Sequence, residues 1–153
     1  MKAFESRDGV LHIDGVSSVS LAEAFGTPLY VYAGSVIDQK LSEIRNDFLD
    51  RYANTRAAYA SKAFLTIAMA EIIEQAGLSL DVVSGGELYT AMRAKFPPER
   101  LELHGNNKSE AELATAIEYG VGVIIIDAPD EAALIEHICK EKGAHANVMF
   151  RIS

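Results

Sequence analysis

The chain has one cysteine, Cys139, in 153 residues. An internal disulfide is therefore excluded, and cytosolic residence is expected. Long apolar runs are absent as well. The longest, "VGVIII" at 121–126, is far too short to cross a bilayer. The opening "MKAFESRDGV" lacks the apolar stretch of a signal peptide, so none is expected. Basic residues are the minority, 14 Lys and Arg against 22 Asp and Glu, for a net charge of −8. Nucleic-acid binding rests on cations that neutralise phosphates, so this balance speaks against a nucleic-acid partner, and none is expected. His12, His137 and His145 have no metal-ligand spacing, and no metal site is expected. No G-x-G-x-x-G follows a strand candidate, and "SGGE" is not one, which removes the dinucleotide fingerprint.

What is present is an ordinary globular balance, 49% apolar and 24% charged. One domain is the default for this length, with a core that buries roughly 68–70% of the unfolded chain's surface. From residue 29 onward, short apolar or β-branched runs alternate with stretches of helical period. The strand candidates are "PLYVY" (28–32), "TRAAYA" (55–60), "LSLDVV" (78–83), "RLELHG" (100–105), "VGVIIID" (121–127) and "ANVMFRI" (146–152). The helix candidates span 35–52, 63–77, 84–96, 109–120 and 129–143.

Helix ends carry their own chemistry. Ser84 with Glu87, and Ser109 with Glu112, fit the capping box, a serine followed three residues later by glutamate. Gly77, Gly120 and Gly143 sit where left-handed C-terminal caps belong, and Pro129 suits a first helical turn. Strand, helix, strand at this spacing is a chain of βαβ units, so the sheet should be parallel. With the dinucleotide fingerprint missing, a (β/α)8 barrel is preferred over an open doubly wound sheet. A barrel needs eight strands and about 250 residues. The expected fold class is therefore α/β: a partial (β/α)8 TIM-type barrel of about five parallel strands with helices, preceded by an N-terminal strand and helix. The expected organisation is an N-terminal segment, 1–34, and an incomplete barrel, 35–153.

Barrels of this kind carry their working residues at the C-terminal ends of the strands. Lys62 follows "AAYA", at the junction of two apolar runs in "RAAYASKAFL". It reads either as a solvated loop lysine or as an amine held for covalent chemistry. Asp81 interrupts "LSLDVV", where a buried parallel strand favours apolar residues, so its carboxylate needs a partner. Ser84 and Glu87 open a helix. His104, Asn106 and Asn107 follow "LEL", Asp127 follows "VIII" and reads also as a cap, and Arg151 follows "VMF". Cys139, on a helix with no acid–base partner in view, reads as packing.

Three segments, "YASKA" (59–63), "LDVVSGGEL" (80–88) and "HGNNKS" (104–109), resemble successive motifs of the diaminopimelate decarboxylase family. These are pyridoxal-phosphate enzymes of the alanine-racemase-like, or group IV decarboxylase, superfamily. "GTPLYVY" (26–32) resembles the family's leading segment. The first two motifs are shared with ornithine and arginine decarboxylases, and "HGNNKS" favours diaminopimelate. The resemblance implies pyridoxal 5'-phosphate as cofactor, with Lys62 as the aldimine lysine. It implies Asp81, His104 and Arg151 around the cofactor and Glu87 beside the reactive centre. The implied reaction is conversion of meso-2,6-diaminopimelate to L-lysine and carbon dioxide by a homodimeric cytosolic enzyme.

The family pattern also includes a stacking histidine, a glycine-rich phosphate loop, a glutamate facing the pyridine nitrogen, and a cysteine and tyrosine contributed through the dimer. None has a counterpart in these 153 residues. The chain alone is therefore expected to be inactive. Three other readings stand beside this one: a decarboxylase for another basic amino acid, a non-catalytic cofactor- or partner-binding barrel module, and a truncated chain whose open sheet edges pair with a second copy.

Overall fold

The computed structural model describes residues 2–152. The chain forms two compact units, residues 1–55 and residues 56–153. Compactness thus groups the helix after residue 34 with the N-terminal segment rather than with the parallel sheet.

The first unit opens with a three-stranded antiparallel ribbon: β1 (Phe4–Arg7), β2 (Val10–Ile13) and β3 (Val16–Ser17). Its two turns are Asp8-Gly9 and Asp14-Gly15, and all four residues have positive φ. Asp-Gly pairs are the common two-residue hairpin loop because their twist matches that of the strands. Helix α1 (Ser18–Phe25) starts where Ser17 Oγ accepts the Val19 N–H. Helix α2 (Gly34–Ile44) runs on through a π-helical turn, Arg45–Leu49. The Asp14 carboxylate accepts the Ser35 N–H at 3.0 Å and so joins the second hairpin to the start of α2.

Two expectations change here. The single N-terminal strand is replaced by the ribbon at 4–17, and "PLYVY" (28–32) is not a strand. Residues 28–32 are exposed, and within their unit they pair with no strand. Pro28 moreover has no N–H to give to a ladder.

The second unit alternates strand and helix throughout: β4 (Ala58–Ala60), α3 (Ile67–Gln75), β5 (Ser79–Val82), α4 (Gly85–Arg93), β6 (Leu101–Leu103), α5 (Glu110–Tyr119), β7 (Val123–Ile126), α6 (Pro129–Lys142) and β8 (Val148–Phe150). The strands pair in parallel and in chain order, β4-β5-β6-β7-β8. That sequential order is the order of a (β/α)8 barrel, of which this unit supplies five strands.

Alternation along the strands separates two faces. Leu80, Val82, Leu101, Leu103, Ile124 and Ile126 lie on one face and are buried beneath the helices, whose Ile73, Leu88, Leu113, Ile135 and Ile138 are also buried. Asp81 and Glu102 fall on the other face. They are register partners on neighbouring strands, with Ala60 beside Asp81 and Val123 beside Glu102.

Candidate functional site

The hollow at the C-terminal ends of β4–β8 is built from Asp81 within β5 and from loop residues one to three positions beyond the strands. It is open, about 480 Å³ in volume, and lined by Lys62, Asp81, Val83, His104, Gly105, Asn106, Asp127 and Arg151. The chain thus brings together Lys62, Asp81, His104 and Arg151, separated by up to 89 positions in sequence, at one rim. Glu87 and Asn107 are not part of that wall.

Lys62 sits in a 3-10 turn, Ser61–Ala63, directly after β4. Helix α3 begins only at Ile67, with Thr66 as its cap, four residues later than the apolar run suggests. The intervening turn is braced from the strand, because the Tyr59 hydroxyl donates to the Phe64 carbonyl at 2.7 Å. Lys62 is exposed to the hollow, and among the described residues its amine has no ion-pair or hydrogen-bond partner.

Asp81 is half-buried, and its Oδ1 is shielded from water without a hydrogen bond. The His104 imidazole lies close by, with Nε2 at 3.9 Å from Asp81 Oδ1 and 3.8 Å from Glu102 Oε2. Those separations are too long for hydrogen bonds. Glu102 was absent from the sequence reading. The signal was available, since "LEL" and "SLDV" each put one carboxylate at the inward-facing position of a short apolar strand.

Asp127 does not cap a helix. Its Oδ1 receives Arg151 Nη1 at 3.3 Å, and α6 takes Ala128 as its N-cap. Gly105 has φ +113°, and a Cβ there would stand 3.2 Å from the Val83 carbonyl, so the loop after β6 can pass this close only with glycine.

The three helices that follow β5, β6 and β7 share one device. Glu87 Oε2 accepts the Val83 N–H at 2.6 Å. Glu112 accepts the Ser109 N–H at 2.9 Å and reaches across to the Gly85 N–H at 2.7 Å. Glu131 Oε2 accepts the Asp127 N–H at 2.8 Å. Each carboxylate thus occupies a helix N-terminus, where backbone donors and the helix dipole favour negative charge. Hydrogen bonds from the Ser109 N–H and hydroxyl, and then from Gly85, hold the Glu112 carboxyl below its ordinary value. Burial pushes Glu131 up, but the Asp127 N–H and the Lys108 ammonium together outweigh it and hold Glu131 low. The Glu112 box is complete, with its serine bonded back to the Glu112 N–H. Ser84 likewise caps α4, while Glu87 reaches one residue further back than a capping box requires.

Lys108 lies behind the rim and was also missed, although it stands inside "HGNNKS". Its side chain is 3% exposed and pairs with Glu131 at 2.9 Å.

Pyridoxal phosphate needs a primary amine for its aldehyde and an anion seat for its phosphate. The hollow fits the first: Lys62 is the amine, and Asp81 supplies a buried carboxylate oxygen with no hydrogen bond of its own. The helix N-termini after β5, β6 and β7 are already met by Glu87, Glu112 and Glu131, so they leave no ready anion seat.

Comparison with known proteins agrees with this geometry. Residues 36–153 match the family described as pyridoxal-dependent decarboxylase, pyridoxal binding domain. The diaminopimelate decarboxylase of Bacillus subtilis is 48% identical over 149 residues, which cover 97% of this chain and 34% of that protein. The Mycobacterium tuberculosis enzyme of the same name is 42% identical over 153 residues, covering 95% and 32%. The chain therefore spans about a third of the length of the curated relatives it matches. A diaminopimelate decarboxylase from M. jannaschii, solved in co-complex with L-lysine, superposes with a TM-score of 0.90 at 36% identity, over 98% of this chain and 36% of that one. A lysine/ornithine decarboxylase from Vibrio vulnificus, 20% identical with a TM-score of 0.73 over 88% of this chain and 35% of that one, shares the fold. With most of its length inside the matched domain, the chain belongs to the pyridoxal-dependent decarboxylases and carries part of their pyridoxal-binding barrel.

Proposed function

We propose that this chain is the lysine-bearing part of a decarboxylase that converts meso-2,6-diaminopimelate to L-lysine and carbon dioxide, with pyridoxal 5'-phosphate held at the hollow. One observation carries the assignment. An unpartnered amine, Lys62, lines the same hollow as a carboxylate, Asp81, whose buried oxygen has no hydrogen bond. The relatives named diaminopimelate decarboxylase, and the co-complex of one of them with L-lysine, support the substrate class.

Lys62 is the amine that would hold the cofactor by its aldehyde, a role that requires the amine in its neutral form. Asp81, in the same hollow, is the acceptor and the counter-charge for a cation brought there. His104 lies between Asp81 and Glu102, with Nε2 within 4 Å of an oxygen of each. Arg151, paired with Asp127, closes the far wall. When bound, the cofactor supplies the electron sink that makes loss of carbon dioxide feasible. The residues of the chain orient the reacting bond, and a well-placed geometry alone removes several kcal/mol of such a barrier, by estimates of about 7–11 kcal/mol for the best-oriented cases. Glu87, bonded to the Val83 N–H, acts by positioning this rim rather than by touching the reacting atoms.

The proposal includes a cytosolic setting, supported by the single cysteine, and a two-copy enzyme, as the family resemblance implies. The chain alone is expected not to turn over substrate, since no ready phosphate seat accompanies its lysine.

The test is borohydride reduction of the chain mixed with pyridoxal phosphate, followed by peptide mass mapping. The pyridoxyl mass should fall on the peptide containing Lys62 and vanish in Lys62→Ala. Labelling confined to other lysines would overturn the assignment of Lys62. Stoichiometric release of carbon dioxide from meso-diaminopimelate by the same sample would overturn the expected inactivity.

A further inference from the structure

Among the described residues, Lys108–Glu131 is the only ion pair with both side chains at 10% exposure or less. Neither residue belongs to the wall of the hollow. Lys108 Nζ donates to the Gly105 carbonyl at 2.6 Å and to the Ile125 carbonyl at 2.8 Å, and it meets Glu131 Oε1 at 2.9 Å. Two of its donors are thereby used on carbonyls, and the contact with Glu131 Oε1 is an ion pair without hydrogen-bond geometry. The other oxygen of Glu131 takes the Asp127 N–H at 2.8 Å.

Two links leave this pair. One ends on Gly105, between His104 and Asn106 in the loop after β6. The other ends on Asp127, whose carboxylate holds Arg151 at 3.3 Å. A buried ion pair is poor value as a stabiliser, because apolar residues of similar volume usually serve as well or better. What apolar residues cannot do is bond to backbone atoms of two loops at once.

We infer that the Lys108–Glu131 pair positions the rim of the hollow, fixing the backbone of the β6–α5 and β7–α6 loops so that His104, Asn106 and Asp127 hold their places. Both are positioning residues. The inference rests on the cofactor reading for its consequence but not for its geometry.

The experiment compares the wild-type chain with Lys108→Met and with the double variant Lys108→Met/Glu131→Leu. The single variant strands a buried carboxylate and should lose stability. The double variant removes both charges and should regain it. In that stable double variant, amide exchange at 105–107 and 127–128 should still run faster than wild type by on the order of tenfold. Affinity for pyridoxal phosphate should fall by on the order of tenfold. A double variant with wild-type stability and wild-type exchange at both loops would overturn the inference. So would a double variant that does not fold, since the pair would then serve the fold itself. If the wild-type chain binds no pyridoxal phosphate, the cofactor reading fails, and the exchange measurement still decides the role of the pair.

Discussion

Tyr59 donates its hydroxyl to the Phe64 carbonyl at 2.7 Å, across the turn that carries Lys62. The strand before the lysine thereby holds the backbone after it. Tyr59→Phe keeps the ring and removes this bond. Its cost should be about 1 kcal/mol, the net worth of one such hydrogen bond. Pyridoxyl labelling of Lys62 at limiting cofactor should drop as well. Urea denaturation and peptide mapping measure the two effects, and unchanged labelling would show that the turn is held by other contacts.

Glu87 tests capping against catalysis. Glu87→Gln keeps an oxygen for the Val83 N–H, whereas Glu87→Ala removes the acceptor. If Glu87 only positions the rim, Gln should behave as wild type in stability and in Lys62 labelling. Ala should lose about 1 kcal/mol, as helix-cap losses usually do. A Gln variant that is fully stable yet no longer labels would return Glu87 to the reacting centre.

Acid should weaken the second unit through Glu112 and Glu131. Both carboxyls are held below their ordinary value of 4.5 in the fold. A depressed folded value means the unfolded chain takes up protons first. The stabilisation is thus complete above 4.5 and is lost as pH falls through the lower folded values. Glu112→Gln should flatten this acid limb of a pH-dependent denaturation series, and an unaltered limb would show that other groups govern it.

Gly122 lies against backbone with no room to yield. A Cβ there would stand 2.2 Å from the Glu99 carbonyl oxygen. Gly122→Ala should therefore destabilise by about 1–3 kcal/mol, the usual cost of overpacking, or more if the backbone resists. Gly143→Ala meets no atom within 4 Å and suffers only its φ of +59°. It should lose about 1 kcal/mol. Chemical denaturation of both variants checks the order, and equal losses would contradict it.

Much of the second unit could be read in advance because its signals are local. Apolar runs such as "VIII" and caps such as Ser109 with Glu112 act within one or two turns of chain. The N-terminal unit was misread for the opposite reason. "PLYVY" has the composition of a strand, but a strand exists only where a partner offers its ladder, and within its unit none does. The two Asp-Gly pairs at 8–9 and 14–15 are the local hairpin signals that this unit does carry.

Lys62, His104 and Arg151 were legible as lining residues because position after a strand is a sequence property, and Asp81 because it interrupts an apolar strand. Glu102, Lys108 and Glu131 were not picked out. Glu102 matters through its register with Asp81. Lys108 and Glu131 matter through a contact across 23 positions, and no local pattern announces which lysine will be buried.

The amino-acid order by itself determined the alternation of strand and helix, the caps, and the placing of polar residues after strands, since these depend on neighbours within a few positions. Tertiary structure alone decided that Glu87 turns back to its own helix start, that the buried Lys108–Glu131 pair links the loops after β6 and β7, and that Asp81 is left with an unbonded oxygen in the hollow that Lys62 also lines. Those outcomes depend on which strands lie side by side and on what water cannot reach, and neither is encoded in any short stretch of chain.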